Sequence, residues 1–181
     1  MLTSYFDIVD ENDQPLGYTA EYTEVMSKSL WHRGVHTIIY TPEGEVVMQK
    51  RAPTLNYHPD LIEVGAGGGV DAGETPEQSA VREIKEELGV TVAIDELRYI
   101  GKTKYNHPLK HMNPRTFIYS YAACIPKQRL HLNANPEETS VLFFTTKRKL
   151  RTALRTHRIK KFGRVSTEYA YWKYLLDAIE A

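Results

Sequence analysis

One helix in this sequence is delimited at both ends and carries its charge at the wrong one. Thr75 is a good N-cap, Pro76 suits the first helical position, Gln78 completes a Thr-x-x-Gln capping box, and Gly89 is the expected stop. The spacing predicts a helix over Pro76–Leu88, about three and a half turns at roughly 3.6 residues per turn. Ala80, Val81, Ile84 and Leu88 form one apolar arc, and Glu83, Glu86 and Glu87 form a second arc directly beside it. Glu83 and Glu87, spaced i, i+4, repel by about 0.2–0.5 kcal/mol. Glu86 and Glu87 also occupy the last turn, where the helix dipole favours cations. Arg82 can reach Glu86 one turn on, which leaves an excess of negative charge at the edge of a buried stripe.

A solvated acidic face is the ordinary explanation of a Glu-rich helix. Here the acids border the buried stripe, and Gly65-Ala66-Gly67-Gly68-Gly69, read as a loop, precedes them. Glycine lets backbone approach a ligand closely. A hard divalent cation accounts for both features, because Mg²⁺ takes carboxylate oxygens and is completed by water and substrate phosphates.

The order Gly68, Glu74, Arg82-Glu83-Ile84, Glu86-Glu87, Gly89-Val90 fills every fixed position of the Nudix box. The chain is identified as resembling the Nudix hydrolase superfamily (MutT-like), with the box over residues 68–90. The resemblance implies an α/β fold, an α/β/α sandwich around a mixed β-sheet with the box as a loop–helix–loop. It implies hydrolysis of a diphosphate bond in a nucleoside diphosphate linked to another moiety, with Mg²⁺ or Mn²⁺ as cofactor. Glu83, Glu86 and Glu87 would bind the metal, Arg82 would orient a helix glutamate, and Glu74 would brace the loop. Gly68 and Gly69 would adjoin the substrate, and Arg51, at the end of an early strand, would contact its phosphates. The general base is open between Glu87 and the acidic turn Asn135-Pro136-Glu137-Glu138, with Glu137 ranked before Glu138.

Two rivals share the resemblance. Phe6-Asp7-Ile8-Val9-Asp10 and Leu30-Trp31-His32-Arg33 resemble the N-terminal portion of isopentenyl-diphosphate isomerase, whose subgroup this extension (about residues 1–30) would join. That enzyme needs a cysteine and a histidine where this chain has Gly67 and Gly69, and its box is usually degenerate. A non-catalytic nucleotide-binding module usually loses box glutamates, and none is lost here. Tyr105 and Pro108 fall near spacings associated with particular substrates of the superfamily, but neither matches cleanly.

At 181 residues with formal net charge zero, one domain over residues 1–181 is expected, without electrostatic bias toward nucleic acid or membranes. The early acids Asp7, Asp10, Glu11 and Asp13 do not suit a signal peptide, and no apolar run spans a bilayer. A cytoplasmic protein is expected. Its single Cys124 reads as a buried strand residue in a reducing compartment.

Strands are expected at Tyr5–Val9 and Leu16–Ala20 as a hairpin, and at Val35–Tyr40, Glu45–Lys50, Tyr99–Thr103, Thr116–Ala123 and Val141–Phe144. Helices are expected over Tyr22–Leu30, around Leu150 and Leu154, and over Tyr169–Ile179; Tyr105–Arg115 reads as a loop. Lys147–Arg164 carries nine Lys and Arg and no acid, either a solvated face or a patch that steers anionic substrates. His32 and His36 are not expected to share a face, because their segment reads as strand. His58, His107 and His111 read as loop residues, and no histidine is assigned to a metal. Homodimers are common in the superfamily. The aromatic segment Tyr169-Tyr171-Trp172-Tyr174 would then pack at an interface or cover the core.

Overall fold

Two apolar pairs, Ile38-Ile39 and Val46-Val47, require a sheet buried on both faces, because successive strand residues point in opposite directions. The computed structural model describes residues 4–55, 58–106, 113–159, 162–164 and 169–179. The elements run β1 (Tyr5–Val9), β2 (Pro15–Glu21), α1 (Tyr22–Lys28), β3 (Trp31–Tyr40), β4 (Glu45–Arg51), β5 (Ile62–Val64), β6 (Ala66–Gly69), α2 (Pro76–Leu88), β7 (Arg98–Asn106), β8 (Arg115–Cys124), β9 (Thr139–Thr146), α3 (Lys147–Thr156), the short hairpin β10 (Arg158–Ile159) and β11 (Gly163–Arg164), and α4 (Tyr169–Ala178).

Nine of the strands form one mixed sheet with the path β2-β1-β3-β4-β5; β6 and β8 also pair with β3, β7 pairs with β8, and β9 with β4. The β3–β8 pairing is parallel and runs the length of both strands, from Trp31 opposite Arg115 to Tyr40 opposite Cys124. Ile39 and Val47 pack with Ile84 and Leu88 of α2 on one face. Ile38, Val46 and Met48 pack with Leu150, Leu154, Trp172 and Leu175 of α3 and α4 on the other. The result is an α/β/α arrangement around a mixed sheet. Among the described residues, no helix is long and apolar enough to cross a membrane.

Several expectations change in detail. The glycine-rich segment is not a loop: Ala66–Gly69 is a strand, paired antiparallel with β3 so that Gly68 lies opposite Val35. Its glycines are needed for close approach. A Cβ on Gly67 would lie 2.6 Å from the Val35 carbonyl oxygen, and one on Gly69 would lie 2.1 Å from the Phe6 ring. Cys124 is exposed, because it is the last residue of β8, past the buried run Tyr121-Ala122-Ala123. The helix after β2 ends at Lys28, since Ser29 takes a left-handed φ of 53° and frees Trp31 to begin β3. Tyr105, Asn106 and Arg115 belong to strands rather than a loop. The calls on His107, Pro108 and His111 lie outside the described residues.

The N-terminal hairpin is fixed to the sheet by a buried carboxylate. Asp13 accepts from Arg33 Nε at 2.7 Å and Lys102 Nζ at 2.5 Å, and also from the Tyr119 hydroxyl. Charge-assisted bonds of this kind are roughly twice as strong as neutral ones, which suits a turn whose φ is 67°.

Candidate active site

The helix ends behave as the sequence requires. The Thr75 side chain accepts from the Gln78 N–H, the Gln78 side chain accepts from the Thr75 N–H at 2.8 Å, and Gly89 closes the helix with φ 71°. The helix stripe then brings Arg82 over the preceding segment. Its Nη1 donates to Glu83 Oε1 at 2.7 Å and to Glu86 Oε2 at 3.1 Å, so one cationic centre bridges two carboxylates. Its Nε lies 3.2 Å from Glu74, and Nη2 donates to the Gly69 carbonyl at 3.0 Å. Asp71 stands 3.6 Å away. Four acids thus surround one guanidinium. Glu74 also accepts from the Ser79 hydroxyl and so ties the segment before the helix to its first turn.

Glu83 and Glu87 do not point the same way. Gly68 lies against the Glu83 carboxylate, where a Cβ would come within 2.3 Å of Oε1. Burial pushes Glu83 up to about 7, with Arg82 opposing and the Glu86 and Glu138 charges adding to the rise. Glu87 is turned inward. Its Oε2 accepts from the Gly67 N–H at 2.9 Å and from Gln49 Nε2 at 2.8 Å. Gln49 is itself held by the Gly65 carbonyl at 3.0 Å and by the Thr139 hydroxyl. Burial and the neighbouring Glu83 raise Glu87 well above the ordinary carboxylate range. The three helix glutamates therefore do not converge on one point, and among the described residues no group of three His, Cys, Asp or Glu is arranged to hold a metal ion. Arg82 draws Glu83 and Glu86 together, while the amides of Gly67 and Gln49 draw Glu87 away.

In the acidic turn before β9, Glu138 rather than Glu137 is drawn toward the protein. Glu137 is exposed, whereas Glu138 is half-buried. Glu138 is raised by burial and by the Glu86 charge, and lowered by Arg51. Arg51 Nη1 lies 3.3 Å from Glu63, which also pairs with His58 at 3.5 Å. Residues 49, 51 and 63 lie on one face because β4 and β5 pair Gln49 with Glu63.

Beside β6 lies a pocket of about 300 Å³, lined by Gly67–Gly69, His32, His36, Arg51, His58, Glu63 and several aromatic rings. His32 and His36 share it because residues four apart on a strand lie on the same side, contrary to the sequence expectation. Burial lowers both, His36 to about 4. His36 Nε2 stands 2.7 Å from the Val64 carbonyl, and Nδ1 stands 3.1 Å from the Tyr171 hydroxyl, which meets Ser120 at 3.0 Å. The aromatic α4 covers the core with Trp172, while the Tyr174 hydroxyl donates to the Ile100 carbonyl. The basic helix α3 packs on the face opposite α2, away from the box glutamates. Sequence reasoning missed the pocket, Gln49 and Tyr171. Only Gln49 had a local signal, standing two residues before Arg51 on the same strand face.

Fold and site together define an α/β/α protein in which a capped, glutamate-rich helix meets a glycine strand beside an aromatic pocket. The chain belongs to the Nudix family, with residues 30–164 matching the NUDIX domain. It is similar to an uncharacterised Nudix hydrolase of Clostridium acetobutylicum, 32% identical over 124 residues that cover 67% of this chain and 59% of that protein. The chain spans less than two thirds of the length of the curated relatives it matches. Its fold is similar to a crystal structure from Deinococcus radiodurans (TM-score 0.66, 21% identity, covering 93% of this chain and 96% of that one). It is also similar to the NUDIX domain of Shewanella oneidensis NrtR, solved as a complex with ADP ribose (TM-score 0.57, 13% identity, 81% of this chain and 84% of that one).

Proposed function

We propose that the chain is a divalent-metal-dependent hydrolase of a diphosphate bond in a nucleotide derivative. The observation that carries this reading is the imbalance around Arg82: Asp71, Glu74, Glu83 and Glu86 ring one guanidinium, and Glu138, raised by burial, adds a fifth carboxylate. This donor set of hard oxygens with excess negative charge fits Mg²⁺ or Mn²⁺. Glu83 and Glu86 would hold the ion, exchanging the shared Arg82 Nη1 for it, and Glu87 would join them on release from Gln49. When bound, the metal neutralises charge on the phosphate oxygens and acidifies water.

The chain's own residues then position and move protons. Before the ion binds, Arg82 keeps Glu83 and Glu86 adjacent, and Glu74 holds Arg82. Glu138 is the better general base of the acidic pair, since burial makes it the stronger proton acceptor and its field reaches Glu83 and Glu86. Arg51 is positioned to meet a phosphate at the pocket edge. The isomerase reading is disfavoured by Gly67 and Gly69, whose neighbours leave no space for the cysteine and histidine that reaction needs. The nucleotide character is supported by the ADP ribose bound to the Shewanella relative.

The test is turnover of a panel containing ADP ribose, a dinucleoside tetraphosphate and nucleoside diphosphates with Mg²⁺, following release of the monophosphate product. Hydrolysis of one member that stops with chelator and in Glu83→Gln is expected. Absence of turnover across the panel, or turnover that survives chelation, would overturn the proposal.

A further inference from the structure

Glu83 and Glu86 are held by Arg82 of their own helix, whereas the hydrogen bonds to Glu87 come from the sheet. Its Oε2 accepts twice, from the Gly67 N–H at 2.9 Å and from Gln49 Nε2 at 2.8 Å. A carboxylate oxygen offers two lone-pair sites, so Oε2 has none left for a cation. The Gly67 donor is backbone and belongs to β6. The Gln49 donor is a side chain, and it is the half of this clamp that a substitution can remove.

The Gln49 amide is buried and used at both ends. Nε2 donates also to the Gly65 carbonyl at 3.0 Å, and Oε1 accepts from the Thr139 hydroxyl. Turning the amide over would set Oε1 against two acceptors, so the network fixes which end faces Glu87. Thr139 reaches Gln49 through an irregularity in the sheet. β4 and β9 pair Lys50 with Val141 and then Arg51 with Thr139, passing over Ser140. The Ser140 hydroxyl donates instead to the Lys50 and Arg51 carbonyls, at 3.0 and 3.3 Å. A bulge of this kind re-aims a side chain. Here it turns the Thr139 hydroxyl onto Gln49, at the residue adjacent to Glu138.

We propose that Gln49, oriented by Thr139, is a positioning residue that holds Glu87 off the divalent cation and so sets the concentration at which the ion binds. The assignment rests on the metal-dependent reading for the presence of an ion and adds a competition to it. Each N–H withdrawn from Oε2 returns an acceptor to the metal site. A merely structural role predicts the opposite sign. If Gln49 only built the site, loss of its amide would weaken the ion; because it competes with the ion, loss of its amide tightens binding.

The test measures binding of Mn²⁺ alone, without substrate, from the loss of the free-ion signal in electron paramagnetic resonance. Gln49→Met keeps the length of the side chain and removes both donors. It should bind Mn²⁺ about tenfold more tightly than wild type, the scale of one hydrogen bond to a charged group. In a Glu87→Gln background the same substitution should bring no gain, since the released carboxylate is absent. Thr139→Val removes only the orienting donor and should tighten binding by a smaller factor, whereas Thr139→Ser should match wild type. This pair carries the test if Gln49→Met does not fold. Unchanged or weaker Mn²⁺ binding in Gln49→Met, or in Thr139→Val where the former does not fold, would overturn the assignment. A gain that persists without Glu87 would overturn it as well. Tighter Mn²⁺ binding without turnover of any diphosphate would remove the hydrolase reading and leave this one standing. Metal-dependent turnover with unchanged Mn²⁺ affinity in the variants would do the reverse, and Mn²⁺ bound by none of the proteins would overturn both.

Discussion

Glu83→Gln should make the metal-free protein more stable, by a margin that opens between about pH 4.5 and 7 and is full above it. Folded Glu83 keeps its proton up to about 7, whereas an unperturbed glutamate ionises near 4.5. Between those values the folded state binds more protons than the unfolded state, so stability falls as pH rises through that window and is level above it. At about 1.36 kcal/mol per pKa unit, the full loss is roughly 3 kcal/mol. The side chain is only 11% exposed, so solvent screening takes little from this figure. Glutamine has the same shape against Gly68 and cannot ionise. In chelator, melting curves should nearly coincide at pH 5 and separate by pH 8.5. At about 2–4 °C per kcal/mol, the variant should then melt roughly 6–12 °C higher. Glu87 titrates in the same direction in both proteins, and because the Glu83 charge contributes to its rise, the difference between them reads Glu83 together with that coupling. Adding MgCl₂ at pH 8.5 should raise the wild type selectively, by about 2.7 kcal/mol at a hundredfold excess over Kd. A gap between the two proteins that is independent of pH, or a wild type that gains stability on alkalinisation, would refute the buried-carboxylate argument.

Glu138→Gln should lower kcat by about 10²–10⁴-fold while Glu137→Gln leaves it near wild type; steady-state assays returning the opposite pattern would restore Glu137 as the base. Gly68→Ala should displace the Glu83 carboxylate, because the new methyl would stand 2.3 Å from Oε1. Activity should be lost with the circular dichroism spectrum retained, and an active Gly68→Ala would contradict the geometry. Asp13→Ala leaves Arg33 without its carboxylate and should cost about 3 kcal/mol in urea denaturation; a loss below about 1 kcal/mol would show that the hairpin is held otherwise.

The box helix was legible to the residue because both ends are written locally: the Thr75–Gln78 box and Gly89 involve only near neighbours. The hairpin and most strands followed from alternation for the same reason. What remained hidden was non-local. Gly65–Gly69 looks like a turn, since β-propensity counts side chains and these residues have few. Only the pairing with β3 and the approach of Phe6 and Glu83 make it a strand. That Glu87 turns inward, away from Glu83 and Glu86, depends on Gln49 and the Gly67 amide, which the sheet supplies. The order of Glu137 and Glu138 likewise depends on which neighbour faces Glu86 across space, and sequence spacing carries no such information.

The strand of glycines has a consequence for how such a protein can be altered. Since Gly67–Gly69 offer no side chain to either neighbour, and a Cβ on any of them would meet one, neither can be adjusted by substitution there. Glu83, Glu86 and Glu87 are encoded on α2, whereas Phe6, Tyr22, Tyr171 and Trp172 of the pocket wall are encoded near the two ends of the described chain. Exchange of the β1–α1 unit or of α4 would thus reshape the pocket without rewriting the acids. The box glutamates and these outer pocket walls are thus separately encoded parts, with Gly67–Gly69 between them.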